Sequence, residues 1–159
     1  MDLPHFLATF IAAATPIGEL RLAIPLAIYT YQMSWFVVLP VALAGNILPI
    51  LILVPSLNGL SKFLLRFPNP LGKLLTWQRE RLLRAQSSKF DRYGAWALVV
   101  LVAIPLPMTG AWTGSFAAWV FHIPPHRAIP LISLGVLIAG IIVTIITISG
   151  AELGKFMLA

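Results

Sequence analysis

The chain has 159 residues, enough for one domain of ordinary size; 59% of them are hydrophobic and only 10% are charged. A water-soluble domain carries about 25% charged residues, so this composition excludes a conventional soluble enzyme as well as a disordered chain. Cysteine is absent, which excludes disulfides and thiolate metal sites. The composition predicts an integral membrane protein that forms a single membrane domain over residues 1–159.

Apolar segments dominate both halves of the chain, and the first half contains a run too long for one membrane crossing. Residues 22–61 hold no charged side chain. As a helix this run would be about 60 Å long, whereas the hydrocarbon core of a bilayer is about 30 Å thick. The run must therefore turn, and the polar and aromatic residues 29–35 suit the membrane interface. Residues 36–57 then predict one spanning helix, and residues 128–149 predict another.

Each half also contains an apolar segment that is interrupted near its middle. Thr15–Glu19 interrupts the first segment, and Pro105–Gly110 interrupts the corresponding segment of the second half. A proline and a glycine in each interruption disfavour a continuous helix. The two halves therefore predict an internal repeat, with repeat 1 at residues 1–58 and repeat 2 at residues 93–159.

The register of this repeat predicts how the chain crosses the membrane. When Pro16 is aligned with Pro107, Gly45 falls one residue from the equivalent of Gly135. Each arm of a broken segment forms about 16 Å of helix, which reaches the middle of the bilayer. If the arms fold back as re-entrant hairpins, each half crosses once and the repeats are inverted, as in many secondary transporters. Four ordinary spans with proline kinks are the alternative.

The net charge of +6 is concentrated between the two repeats. Eight of the eleven basic residues lie from Lys62 to Arg92, together with two acidic residues. By the positive-inside rule this block marks a cytoplasmic segment, so we predict that residues 59–92 form a cytoplasmic, amphipathic connector. Apolar residues between the charges predict that the 62–92 segment contacts anionic lipid head groups. Nucleic-acid binding is disfavoured, because membrane-compatible sequence flanks the block on both sides.

Glu19 and Arg21 are ionisable residues beside the first interruption. A charged side chain in lipid costs at least about 2.5–3.5 kcal/mol, so such residues normally face a partner or a water-filled cavity. An intramembrane carboxylate is also a natural proton carrier, and we predict that Glu19 couples transport to protons. The alternative is a buried ion pair between Glu19 and Arg21 that fixes the tip of the first hairpin.

The helices that follow the two interruptions predict an anion site. Their N-termini present free N–H groups and the positive end of the helix dipole, and the second interruption adds hydroxyls and glycines. Arg21 adds a positive charge, so phosphate or carboxylate is the favoured ligand, whereas Glu19 alone would suit a cation, as in drug/proton exchange. The predicted substrate contacts are Arg21, Asn46, Pro107, Thr109, Gly110, Trp112, Thr113 and Gly114.

Two of these side chains have a second interpretation. Asn46 can hydrogen-bond to the first hairpin as a packing residue, and Trp112 can pack in the interior instead of stacking on a ligand. The sequence contains no metal-ligand cluster, nucleophile–base pair or phosphate-binding loop, so we predict no metal, no cofactor and no enzymatic activity.

Four motifs resemble the small multi-drug export protein family, in order across residues 16–145. They are Glu19-Leu-Arg21-Leu-Ala-Ile-Pro25-Leu, Gly45-Asn46-Ile-Leu-Pro49, Pro105-Leu-Pro107-Met-Thr109-Gly110-Ala-Trp112-Thr113-Gly114 and Leu134-Gly135-Val-Leu-Ile-Ala-Gly140. The third is the most specific, and the family usually has a glycine near Leu22. The resemblance implies a bacterial or archaeal integral membrane protein. The sequence is also distantly similar to the DedA (SNARE-associated membrane protein) superfamily, which implies paired re-entrant hairpins and proton-dependent transport of lipid carriers.

These observations together predict a proton-coupled, multi-pass transporter in the plasma (inner) membrane. The resemblance implies small drug-like substrates, whereas the local chemistry favours a lipid-linked phosphate. The alternatives are a polyprenyl-phosphate or phospholipid translocase of DedA type, and a membrane scaffold or assembly factor that transports nothing. Two hairpins and two spans are little material to enclose a pathway, so we also predict a homodimer.

Overall fold

The structure is a computed structural model that describes residues 3–66, 73, 76–77, 80–84, 93–104 and 110–158, with side chains for 3–57, 73, 76–77, 80–84, 93–104 and 110–150. Every regular element within these ranges is helical, which confirms the all-α prediction. Most of the predicted connector at residues 59–92 lies outside the described residues, as do residues 105–109 of the second interruption.

The α-helices whose bounds the structure gives lie outside that connector, except that the third extends into it as far as Arg66. In chain order they are α1 (Leu3–Ala14), α2 (Glu19–Pro25), α3 (Trp35–Arg66), α4 (Ala97–Ala103), α5 (Ala111–Val120) and α6 (Pro125–Leu158). A π-helical turn at Leu26–Thr30 follows α2, and a 3-10 turn at Gly94–Trp96 precedes α4.

Two of these helices are long and apolar enough to cross a membrane. The qualifying segments are Trp35–Leu57 of α3 and Pro125–Gly150 of α6, which match the predicted spans at 36–57 and 128–149. Both contain prolines, at Pro40, Pro49 and Pro55 in α3 and at Pro130 in α6. Apolar spanning helices tolerate proline because neighbouring helices and local adjustments satisfy the freed carbonyl groups.

The remaining helices are short and pack in pairs. α1 ends at Ala14 and α2 begins at Glu19, so the first interruption lies where it was predicted. α1 contacts α2, and α4 contacts α5. The 12 residues of α1 correspond to about 18 Å of helix, which is a little more than half of a bilayer's hydrocarbon core.

Glycines on the two long helices allow the short helices to approach closely. α1 packs on α3, and a Cβ atom on Gly45 of α3 would overlap the Phe10 carbonyl oxygen of α1. α4 packs on α6, and a Cβ atom on Gly135 would lie 2.7 Å from the Cβ of Val102. Gly135 therefore permits close helix packing, and Gly45 has the same role.

The first half of the chain is also tied to α6 through the turn after α2. Pro25 has no N–H and its ring crowds the preceding helical turn, and the chain widens into the π-helical turn directly after it. This turn carries Tyr29, whose hydroxyl donates a hydrogen bond of 2.6 Å to the Thr147 carbonyl of α6. The contact joins residues that are far apart in sequence and fixes the end of α2 against a spanning helix.

The close contact between α1 and α3 predicts a stability defect in Gly45→Ala. The added methyl group must displace the Phe10 backbone, and overpacking of this kind costs about 1–3 kcal/mol. We expect a lower midpoint of thermal unfolding in detergent micelles. Gly150→Ala is the matched control, because its Cβ would meet only the Tyr29 hydroxyl at an ordinary 3.4 Å. Equal midpoints for the two variants would contradict the packing role of Gly45.

Candidate functional site

The candidate site is built around Glu19, the first residue of α2. Its side chain is buried, with 8% of the residue exposed. Its backbone adopts a φ of +47°, a left-handed conformation that non-glycine residues rarely adopt and that costs about 1–3 kcal/mol. Thr15 organises the turn before it, since its hydroxyl donates to the Ala12 carbonyl at 2.8 Å and accepts from the Gly18 N–H at 3.4 Å. The fold therefore holds Glu19 in a strained conformation at the tip between α1 and α2.

The Glu19 carboxylate reaches across to the other half of the chain. It lies against Gly110, where any Cβ atom would overlap both carboxylate oxygens, and Gly110 itself has a φ of +153° that favours glycine. The Trp112 backbone N–H donates to Glu19 Oε1 at 3.4 Å, which is long for such a bond. This N–H belongs to the first turn of α5, where the free donors and the helix dipole favour a negative charge.

Trp112 makes a second connection between the halves. Its indole Nε1–H donates to the Ala14 carbonyl at 3.1 Å, so the last residue of α1 is bound to the first turn of α5. The ring is half-buried. This hydrogen bond satisfies the N–H group of the indole ring within the protein. It therefore favours the interpretation that Trp112 packs in the interior.

Arg21 lies near Glu19, as expected at an interrupted helix. It is half-buried on α2, close enough for its charge to interact with that of the Glu19 carboxylate. Both side chains line one small cavity. The interaction compensates part of the cost of burying two charges away from water.

The cavity beside Glu19 is enclosed by helices of both halves. Its volume is about 10 Å³, which is near the lower limit for a single water molecule. The lining residues are Glu19, Leu20, Arg21, Asn46, Val102, Gly110, Ala111, Val136 and Ala139. This cavity is far smaller than the pockets that hold drug-sized ligands.

Asn46 is the buried polar side chain that α3 contributes to this cavity. It is 1% exposed, and its Oδ1 atom has no hydrogen-bond partner among the residues that the structure describes. A buried acceptor left without a donor costs about 1–3 kcal/mol. The position of Asn46 therefore needs an explanation beyond packing.

The structure separates the predicted substrate contacts into two groups. The cavity is lined by Arg21, Asn46 and Gly110. The backbone N–H of Trp112 donates to Glu19, which also lines the cavity. Thr113 is half-buried on α5, and Gly114 faces α4 and α6, where a Cβ atom would lie 2.6 Å from Val102 Cγ2. Gly114 therefore has a packing environment. Pro107 and Thr109 lie outside the described residues.

The sequence did not predict that a side chain of the protein itself, the Glu19 carboxylate, occupies the N-terminus of α5. We expected an external phosphate or carboxylate at the N-terminus of this helix, and the structure has the Glu19 carboxylate there. The signal was present in the sequence, since Glu19 is the acidic residue of the first interruption and Gly110 ends the second. What the pattern could not supply was the contact between the two interruptions.

Two long apolar helices, with a buried carboxylate that bonds from one interrupted segment to the other, define a multi-helix membrane protein with an internal polar site. A model of the small multi-drug export protein family matches residues 19–142, and the chain belongs to this family. The match covers Glu19, Asn46 and the Gly110–Gly114 segment. Comparisons with curated proteins and with solved structures found no match, and the distant similarity to the DedA superfamily stays a prediction.

The contact between Glu19 and Gly110 predicts a coupled defect in Gly110→Ala. The methyl group would overlap the carboxylate and would also strain a backbone at a φ of +153°, so the free energy of unfolding should fall by about 1–3 kcal/mol or more. Thermal unfolding of the purified protein measures this loss.

The same substitution in a Glu19→Ala background separates the two causes. There the carboxylate is gone, so the loss should shrink to the part that is due to backbone strain. An equal loss in both backgrounds would show that the carboxylate does not press on Gly110.

Proposed function

We propose that this protein is a proton-coupled membrane transporter in which Glu19 carries the proton. The observation that supports this most strongly is the position of the Glu19 carboxylate, which is buried at one interrupted helix and touches the start of the helix after the other. An ionisable group at a helix break inside a membrane is typical of transport and proton-transfer sites. The export family to which the chain belongs supports the same class of function.

The proposed architecture has two inverted repeats, each made of a re-entrant hairpin and a spanning helix. Equivalent contacts in the two halves support it. Gly45, in the middle of α3, receives the backbone of α1, and Gly135, at the corresponding place in α6, receives α4. The exposed Trp35 and Trp96, at the starts of α3 and of the second hairpin, suit opposite membrane interfaces.

In this proposal the described conformation is an occluded state. The cavity of about 10 Å³ must open before substrate enters, so the contact between Glu19 and the start of α5 must break. A deprotonated Glu19 is attracted to the α5 N-terminus and to Arg21. Protonation removes the negative charge and weakens both attractions, which allows the two interruptions to separate.

The same exchange supports an anionic substrate. When Glu19 leaves, the first-turn N–H groups of α5 and the guanidinium of Arg21 become available to another anion, such as the phosphate of a lipid-linked carrier. A cationic drug-like substrate is the second candidate, because the family is named for small multi-drug export. That substrate would bind to the deprotonated carboxylate instead.

We place the protein in the plasma membrane with the connector in the cytoplasm, in contact with anionic head groups. The described part of the connector supports this. The Arg81 guanidinium lies 5.5 Å above the Trp77 ring, and Arg84 forms an exposed ion pair of 3.0 Å with Glu80. Arginines beside exposed aromatic rings suit a membrane surface.

The proton-carrier role predicts that Glu19→Gln uncouples transport. Glutamine keeps the shape and a hydrogen-bonding group but has no proton to exchange, so uptake into proteoliposomes should no longer respond to an imposed pH gradient. Thr144→Val is a matched control, because Thr144 is buried and bonds to the Gly140 carbonyl of its own helix. A pH-dependent uptake that survives in Glu19→Gln would overturn the assignment.

A structural role for the same contacts is the rival function. The hydrogen bonds from Trp112 to Glu19 and to Ala14 hold the two halves together, as a scaffold without transport would require. In that case Glu19→Gln should lower thermal stability at every pH, and no substrate should stabilise the protein.

The role of Arg21 separates an anionic from a cationic substrate. We expect a polyprenyl phosphate to raise the thermal unfolding midpoint of the purified protein, and Arg21→Ala to abolish this shift while the protein still folds. Arg21→Lys should retain part of it, because the charge remains but the bidentate geometry is lost. A lipophilic quaternary cation that stabilises the protein more strongly at alkaline pH would instead support drug/proton exchange. Loss of folding in Arg21→Ala would support the scaffold.

A further inference from the structure

The side-chain amide of Asn46 offers a hydrogen-bond acceptor to the protonated carboxyl group of Glu19. Asn46 lies next to Gly45, the close-packing position of α3 against α1, and is 1% exposed. Its Oδ1 atom is buried and lacks a hydrogen-bond donor among the described residues. The cavity that it lines is also lined by the Glu19 carboxylate.

The chemistry of the two groups decides which donor can serve Asn46. A deprotonated carboxylate only accepts hydrogen bonds, so it cannot satisfy another acceptor. Once protonated, the carboxyl has an O–H that donates. The deprotonated form already has a partner, the Trp112 N–H at 3.4 Å, whereas the protonated form needs an acceptor. Asn46 Oδ1 is the buried acceptor that is available across the cavity.

We propose that Asn46 is the positioning residue that accepts the hydrogen bond of protonated Glu19 across this cavity. The inference rests on the proposed function, because it requires Glu19 to bind a proton. A hydronium ion of the solvent gives one proton to Glu19, so that an O–H bond of the hydronium breaks, a carboxyl O–H bond forms and water is released; this O–H donates toward Asn46 Oδ1. The cavity has room for about one water molecule, which bridges the pair where the separation exceeds a direct bond. Glu19 then alternates between the α5 N-terminus when charged and Asn46 when neutral.

Among the described side chains, Arg21 is the one charged neighbour of Glu19. Arg21 lies on the same helix, α2. The elements packed around the site contribute no Asp, Glu, Lys or Arg within their described side chains, except for Arg127 in the first turn of α6, more than two helical turns from the cavity-lining Val136. Protonation of Glu19 therefore removes the negative charge beside Arg21 and makes the net charge of the site more positive by one unit.

Infrared difference spectroscopy of the purified protein tests the proposal without a transport assay. Acidification should produce the C=O stretching band of a protonated carboxyl that is missing in Glu19→Gln. Donation by the O–H lowers the frequency of this band, so Asn46→Leu, which removes the acceptor and keeps the volume, should shift it upward. Asn46→Thr provides a second variant, because a helical threonine bonds to its own backbone, as Thr144 does. Thr144→Val should leave the band in place.

The outcomes separate this inference from the proposed function. A Glu19-dependent band that moves upward in both Asn46 variants and stays fixed in Thr144→Val supports the inference. A Glu19-dependent band that keeps its position in a folded Asn46 variant overturns the inference alone, and Glu19 remains a proton carrier. The absence of any Glu19-dependent band across the pH range overturns both the proton-carrier role and the role of Asn46.

Discussion

The contact between the Glu19 carboxylate and the start of α5 is the interaction on which the site depends. It joins two interrupted helices that are far apart in sequence, and it gives a buried negative charge a helix N-terminus and a nearby guanidinium. It also compensates part of the cost of the strained Glu19 backbone. The contact is also long, so it is weak enough to be exchanged for another. The proposed proton-carrier role needs this combination, because the site must then both bind and release a proton.

The close packing of the hairpins explains why so little space remains around this contact. Glycines at positions 45 and 135 let α1 and α4 lie directly on the spanning helices, and the apolar side chains between them fill the interior. Glu19, Arg21 and Asn46 line one small cavity within it. In such an apolar setting each electrostatic interaction is stronger than in water, so in the proposed transport cycle one proton changes the balance between closed and open arrangements.

Much of the fold could be predicted from the sequence because lipid imposes simple constraints on composition and length. The spans at α3 and α6 and the interruption at Thr15–Glu19 follow from uncharged runs and from proline and glycine. The side-chain contacts did not follow. The pattern identified Glu19, Arg21 and Asn46 as unusual polar residues. A sequence alone does not show that the two interruptions contact each other in the fold. The vacant acceptor of Asn46 and the indole bond of Trp112 to Ala14 depend on distances set by tertiary packing.

The pairing of Glu19 with Gly110 has a consequence for the symmetry of the protein. The register that aligns Pro16 with Pro107 also aligns Glu19 with Gly110, so in the proposed architecture the two residues in contact are equivalent positions, and a pseudo-twofold axis passes between them. On such an axis there is room for one side chain only, since even a methyl group on Gly110 would overlap the carboxylate. A homodimer of identical halves would bring two carboxylates together there. When the two halves are joined in one chain, their sequences can differ. One half then supplies the carboxylate of Glu19, and the other supplies Gly110, which leaves room for it.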